Sequence, residues 1–118
     1  MHFTAADDGL ALAWFGAVFF NPPYGRALRH WTTKARQEWQ TGCARLIIGL
    51  VPARTDTGWW HDDIAPTADV FFLRGRLSFG DAQQSAPFPS ALAIWGGDAS
   101  QLENLVARWP GQLQRCLV

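Results

Sequence analysis

Hydrophobic residues fall along the chain in short blocks, and the spacing within each block predicts its structure. "AVFF", residues 17–20, is apolar and bounded by Gly16 and Asn21, so it reads as a buried strand. Residues 27–41 carry Leu28, Trp31, Ala35 and Trp39 at helical spacing with charges opposite, and Gly42 is a natural stop. "ARLIIGLV", residues 44–51, is continuously apolar, the pattern of a strand covered on both faces and therefore of a parallel sheet; Pro52 ends it. "RTDTGWWHDDIA" reads as a loop followed by a short helix, and "ADVFFL", 68–73, as a third strand. "RGRLSFG", 74–80, reads as a turn or a short extended piece, and residues 81–90, with Pro87 and Pro89, form a loop. "SALAIWG", 90–96, is a fourth strand. Asp98 caps a last helix whose Leu102, Leu105, Val106 and Trp109 share one side, a core or interface stripe.

Strands alternating with helices predict an α/β sandwich with a mostly parallel sheet of about 4–5 strands. In such sheets functional groups gather just past the carboxyl ends of strands. Asn21 follows the first strand, Arg54 the second, and Arg74 and Arg76 the third, so three polar clusters are expected on one rim.

Composition narrows the class. The 118 residues suit a single domain over 1–118, and the apolar fraction of 48% with seven Trp supplies a core. Ten basic and ten acidic residues leave no net charge, which argues against a purely charge-driven nucleic-acid binder but leaves room for a local basic patch. Cys43 and Cys116 form neither a metal motif nor a disulfide framework, and buried free thiols in a reducing compartment are expected. The run "LALAWFGAVFF" is too short to span a bilayer and follows two acids rather than a basic segment, so a soluble cytoplasmic protein is expected. His30 and His61 have no partner spacing for a metal or a triad, and Trp59 and Trp60 read as packing residues.

The chemistry concentrates in "NPPYG", residues 21–25. Asn21 offers an amide oxygen and an NH2 group. Pro22 and Pro23 lack N–H donors and fix φ, which makes a rigid turn lined by carbonyls. Tyr24 adds a flat stacking face. Acceptors beside a stacking surface suit an exocyclic amine on a planar ring. Such an amine is a poor nucleophile because its lone pair is delocalised into the ring. Two acceptors, the Asn21 side-chain oxygen and the Pro22 carbonyl, would favour a pyramidal nitrogen with its lone pair free. Read without their neighbours, the same residues also fit a strand-ending turn with a structural Tyr.

"NPPYG" after an apolar strand resembles motif IV of amino-methyltransferases that use S-adenosylmethionine. "FTAADDGLALAW", "FFNPPYGRALRHWTTKA", "LVPARTDTGWWHD", "FFLRGRLSFG" and "APFPSALAIWG" are similar, in order, to the blocks of phage-type DNA adenine N6-methyltransferases. The resemblance implies a Rossmann-like methyltransferase domain that methylates adenine N6 in double-stranded DNA. It implies that Asn21, Pro22, Pro23 and Tyr24 hold and stack a flipped adenine. It places Asp7 or Asp8 against the cofactor's adenine. Arg54, Arg74 and Arg76 suit contacts to DNA phosphate, because guanidinium groups bind it bidentately, and equally fit a solvated loop and an ordinary exposed turn. The chain resembles a family member without the strand and loop that precede "FTAADDG", so a partial fold is expected. Two readings from other classes stay open: a noncatalytic remnant that folds without cofactor, self-associating through an exposed sheet edge as a homo-oligomer, and an amino-methyltransferase acting on RNA or protein.

Overall fold

The computed structural model describes residues 1–3, 9–75 and 88–116. Six strands form one sheet among these residues: β1 (His2–Phe3), β2 (Gly16–Phe20), β3 (Ala44–Pro52), β4 (Asp69–Leu73), β5 (Ser90–Trp95) and β6 (Gly111–Gln114). Helix α1 spans Leu28–Gln40 and α2 spans Ala99–Arg108. A short 3-10 turn covers Gly9–Ala11, and one wide π-type turn covers Trp60–Ile64. The four expected strands and both helices are present within a residue or two of the bounds read from the pattern. The short β1 and β6 were not expected.

The α/β class holds, but the mostly parallel sheet of 4–5 strands is corrected. The strand order is β1-β2-β3-β5-β4-β6. β1, β2 and β3 pair parallel, while β3–β5, β5–β4 and β4–β6 are antiparallel. The inference from "ARLIIGLV" failed on one side only: β3 has a parallel neighbour in β2 and an antiparallel one in β5. Coverage of both faces does not fix the direction of a neighbour.

The two faces differ. Ile47, Gly49 and Val51 of β3 alternate with the half-buried Leu46, Ile48 and Leu50. The first set joins the main core with Trp14, Phe20, Trp31 and Trp95 under α1. Of the second, Leu46 and Ile48 pack on the α2 side with Phe71, Ile94 and Leu102. The α2 stripe is only partly core: Leu102 is buried and Leu105 half-buried, but Val106 and Trp109 are 48% and 59% exposed. Both cysteines are unpaired as expected, yet Cys43 is exposed and Cys116 half-buried, which corrects the expected burial. Among the described residues no helix is long and apolar enough to cross a membrane.

Asp98 caps α2 as its position predicts. Its side chain accepts from the Gln101 N–H at 2.8 Å, and the Gln101 amide oxygen accepts from the Asp98 N–H at 3.0 Å, a complete capping box. Asp98→Ala should cost about 1 kcal/mol, read as a lower midpoint in urea unfolding with unchanged slope.

A buried carboxylate ties α1 to the segment after β3. Asp63 accepts from the hydroxyls of Thr32 at 3.0 Å and Thr33 at 2.9 Å, and from Arg36 Nε at 2.8 Å. The charge is balanced and its oxygens are satisfied, the condition for burying a carboxylate. Trp60, in the same turn, is buried, as its packing role requires.

Candidate active site at the sheet rim

Strand directions place the chemistry on one edge. β2 and β3 run parallel, so Asn21 and Ala53–Arg54 leave the sheet toward the same edge, with β3 continuing to Pro52 past the Phe20–Gly49 pair that ends β2. Pro52 pairs with Ser90 and Phe72 with Ala91, so β4 ends and β5 begins at this same edge. Arg54 and Arg74 therefore emerge two strand spacings apart, about 10 Å at the backbone. The common rim read from the sequence holds for Asn21, Arg54 and Arg74 despite the antiparallel half. β4 keeps the direction of β3 because two antiparallel steps, through β5, lie between them. Asp7, Asp8 and Arg76 lie outside the described residues.

The NPPY turn is anchored at its start and open at its end. The Asn21 N–H donates to the Phe3 carbonyl at 2.8 Å, continuing the β1–β2 ladder to the rim. The Asn21 side chain is half-buried and Pro22 is buried, which fixes the turn against the core. Gly25 has φ +106, a left-handed value open to glycine, and its carbonyl accepts from the Leu28 N–H at 3.2 Å as the chain enters α1. Tyr24, between them, is 38% exposed, and burial of the remainder pushes its phenol pKa up.

The loop after β3 is held by its own backbone. The Arg54 N–H donates to the Pro52 carbonyl, and the Arg54 carbonyl accepts from Thr57 Oγ1 at 2.7 Å. Among the described residues Arg54 forms no ion pair with its near neighbour Asp56. The Arg54 guanidinium instead lies over the Phe88 ring, 5.3 Å from its centroid. Phe88 also meets Tyr24, with ring centroids 4.8 Å apart and planes at 86°. The Ala53 N–H donates to the Pro89 carbonyl at 2.8 Å and closes β3 against the start of β5. Arg74 is exposed, with its N–H bonded to the Pro110 carbonyl.

Phe88 was missed because residues 81–90 read as a proline-marked loop. Its signal was an aromatic residue between two prolines directly before a strand that starts at the rim. His30 and His61 are both exposed and away from these contacts.

The Asn-Pro-Pro-Tyr turn thus stands at the carboxyl end of a parallel strand in an α/β sheet. The chain belongs to the DNA N-6-adenine-methyltransferase (Dam) family, whose model matches residues 1–94. That match takes in β1 through nearly all of β5 and the whole rim, and stops before α2. At the family level this is a DNA adenine methyltransferase. No curated protein matches the chain.

Proposed function

We propose that this protein transfers a methyl group from S-adenosylmethionine to N6 of an adenine turned out of double-stranded DNA, in the cytoplasm. The observation that carries the reading is the NPPY turn, rigid at Asn21–Pro22 and open at Tyr24, on the rim of a family member. The parallel half, β1–β2–β3, serves as the Rossmann-like portion of the domain.

The Asn21 amide oxygen and the Pro22 carbonyl accept the two N–H bonds of the target amine. That favours a pyramidal nitrogen and points its lone pair away from the ring. Pro23 keeps the turn from relaxing, and the Tyr24 ring stacks on the base. Turning a base out of a duplex costs a few kcal/mol, and stacking on one aromatic ring returns about 1–3 kcal/mol. Arg54, Arg74 and Arg76 bind the phosphates on either side, since guanidinium groups suit that contact.

The donor set is compatible with the methyl donor. β1 ends at the rim beside Asn21, and the carboxylates of Asp7 and Asp8 follow it in the sequence, offering acceptors for the amine of an adenosine group. S-adenosylmethionine, when bound, supplies an electrophilic methyl on sulfur; the chain's own task is to present the adenine nitrogen to it.

The test is incubation with methyl-tritiated S-adenosylmethionine and duplex DNA, then digestion and chromatography of the nucleosides. Label in N6-methyladenine is expected. Label confined to cytosine, or none above a protein-free control, overturns the reading.

The Tyr24 ring should matter more than its hydroxyl. Tyr24→Phe should keep most base extrusion, read as fluorescence of 2-aminopurine at the target position. Tyr24→Ala should weaken binding of that DNA by about 1–3 kcal/mol. Equal losses in both variants would assign the role to the phenol oxygen instead.

A further inference from the structure

Phe88 is buried, 9% exposed, yet among the described residues it belongs to neither hydrophobic cluster. Its ring interactions are instead with two rim side chains, the Tyr24 ring at 4.8 Å with planes at 86° and the Arg54 guanidinium over the ring at 5.3 Å. Those two come from different strands and different loops, one after β2 and one after β3. Phe88 comes from a third segment, at the start of β5, and its neighbour Pro89 is bonded to the chain at Ala53. We propose that Phe88 is a positioning residue: its ring sets the orientation of Tyr24 and of Arg54 together, so that the stacking face and the adjacent cation are presented as one preformed surface. This rests on the role of Tyr24 proposed above.

The physical basis is the ring quadrupole. An edge-to-face partner fixes the plane of the Tyr24 ring, and the same ring's electron-rich face attracts the guanidinium. One side chain thereby restrains two others, each of which has rotatable bonds that would have to be fixed on binding DNA. Preorganisation of this kind lowers the ordering cost of association. The burial that pushes the Tyr24 phenol upward is consistent with such packing.

Tyr24 is the chain's single tyrosine, so its state can be read without DNA or methyl donor. In the full chain, tyrosinate absorbance against pH gives one midpoint, and 3-fluorotyrosine labelling gives one fluorine resonance. Phe88→Leu, which keeps an apolar side chain, should lower the midpoint toward that of free tyrosine and move the resonance toward the unfolded position. Phe88→Trp, which keeps an aromatic ring, should hold both near wild type. Phe88→Leu should also weaken binding of duplex DNA containing 2-aminopurine by about threefold to tenfold. Thermal unfolding checks that the variants remain folded.

An unchanged midpoint and resonance in folded Phe88→Leu overturn the proposal. So does a shifted midpoint with full binding and extrusion, given a wild type that extrudes the base. If the wild type itself fails to extrude, the reading of Tyr24 as a base-stacking residue has failed, and the titration alone still decides whether Phe88 orients Tyr24.

Discussion

Asn21→Ala should reduce methyl transfer by about 100- to 1000-fold while the fold survives. Removing one preorganised hydrogen-bonding group from the reacting centre typically costs this much. The substitution deletes the side-chain acceptor for the target amine and leaves the Pro22 carbonyl as the remaining one. Among the described residues the Asn21 side chain carries no hydrogen bond that alanine would lose. It is half-buried, and the bond that anchors this position comes from its backbone N–H to the Phe3 carbonyl, which alanine keeps. Circular dichroism and the thermal midpoint should therefore stay close to wild type, and DNA affinity should fall far less than turnover. The decisive comparison is the single-turnover rate at saturating DNA. A rate within a few-fold of wild type would remove Asn21 from the chemistry.

The rim was legible in the sequence because each apolar run stops at a residue with distinct chemistry. Phe20 gives way to Asn21, Val51 to Pro52, and Leu73 to Arg74. Burial alone dictates where such runs end, so the positions survived an error in sheet direction. That direction was not legible from "ARLIIGLV", since the same run satisfies a strand between one parallel and one antiparallel neighbour. A better signal lay between β4 and β5. Residues 74–89 show no helical periodicity in the sequence, and parallel neighbours in a sheet need a long crossover, usually a helix. A return connection to an antiparallel neighbour was the simpler expectation.

β1 and β6 escaped notice for a different reason. "HF" is too short for any alternation to register, and "GQLQ" carries one apolar residue, Leu113, among polar ones. Both are edge strands, specified by the neighbour they pair with rather than by their own pattern. The α2 stripe shows the converse. Its periodicity predicted the helix correctly, but periodicity does not say how much of a stripe is covered, and Val106 and Trp109 remain exposed. Contacts such as Phe88 with Tyr24 join residues 64 positions apart and have no local signature.

The support beneath Asn21 leads to the largest expected effect on stability. Phe20, the residue before it, is fully buried among Trp14, Trp31 and Trp95, with ring centroids 5.4, 6.1 and 6.3 Å away. Its partner across the parallel β2–β3 pair is Gly49, and a Cβ added there would collide with the tip of the Phe20 ring. The ring is long enough to lie over β3 only because position 49 has no side chain. Phe20→Ala should cost about 3–5 kcal/mol, from lost burial and the cavity left between three indoles that cannot all move inward. Against a typical total of roughly 5–15 kcal/mol, that brings the domain near its unfolding threshold. Gly49→Ala should cost about 1–3 kcal/mol for the opposite reason, because the methyl group overfills a site whose walls are rigid aromatic rings. Once the ring is gone, the added methyl has room. The double variant Phe20→Ala/Gly49→Ala should therefore be more stable than the sum of the single losses predicts, by about 0.5–3 kcal/mol. Urea unfolding of the four proteins measures this coupling. Strict additivity would mean that the Phe20 ring does not rest on Gly49, and the account of how the core supports the NPPY turn would be wrong.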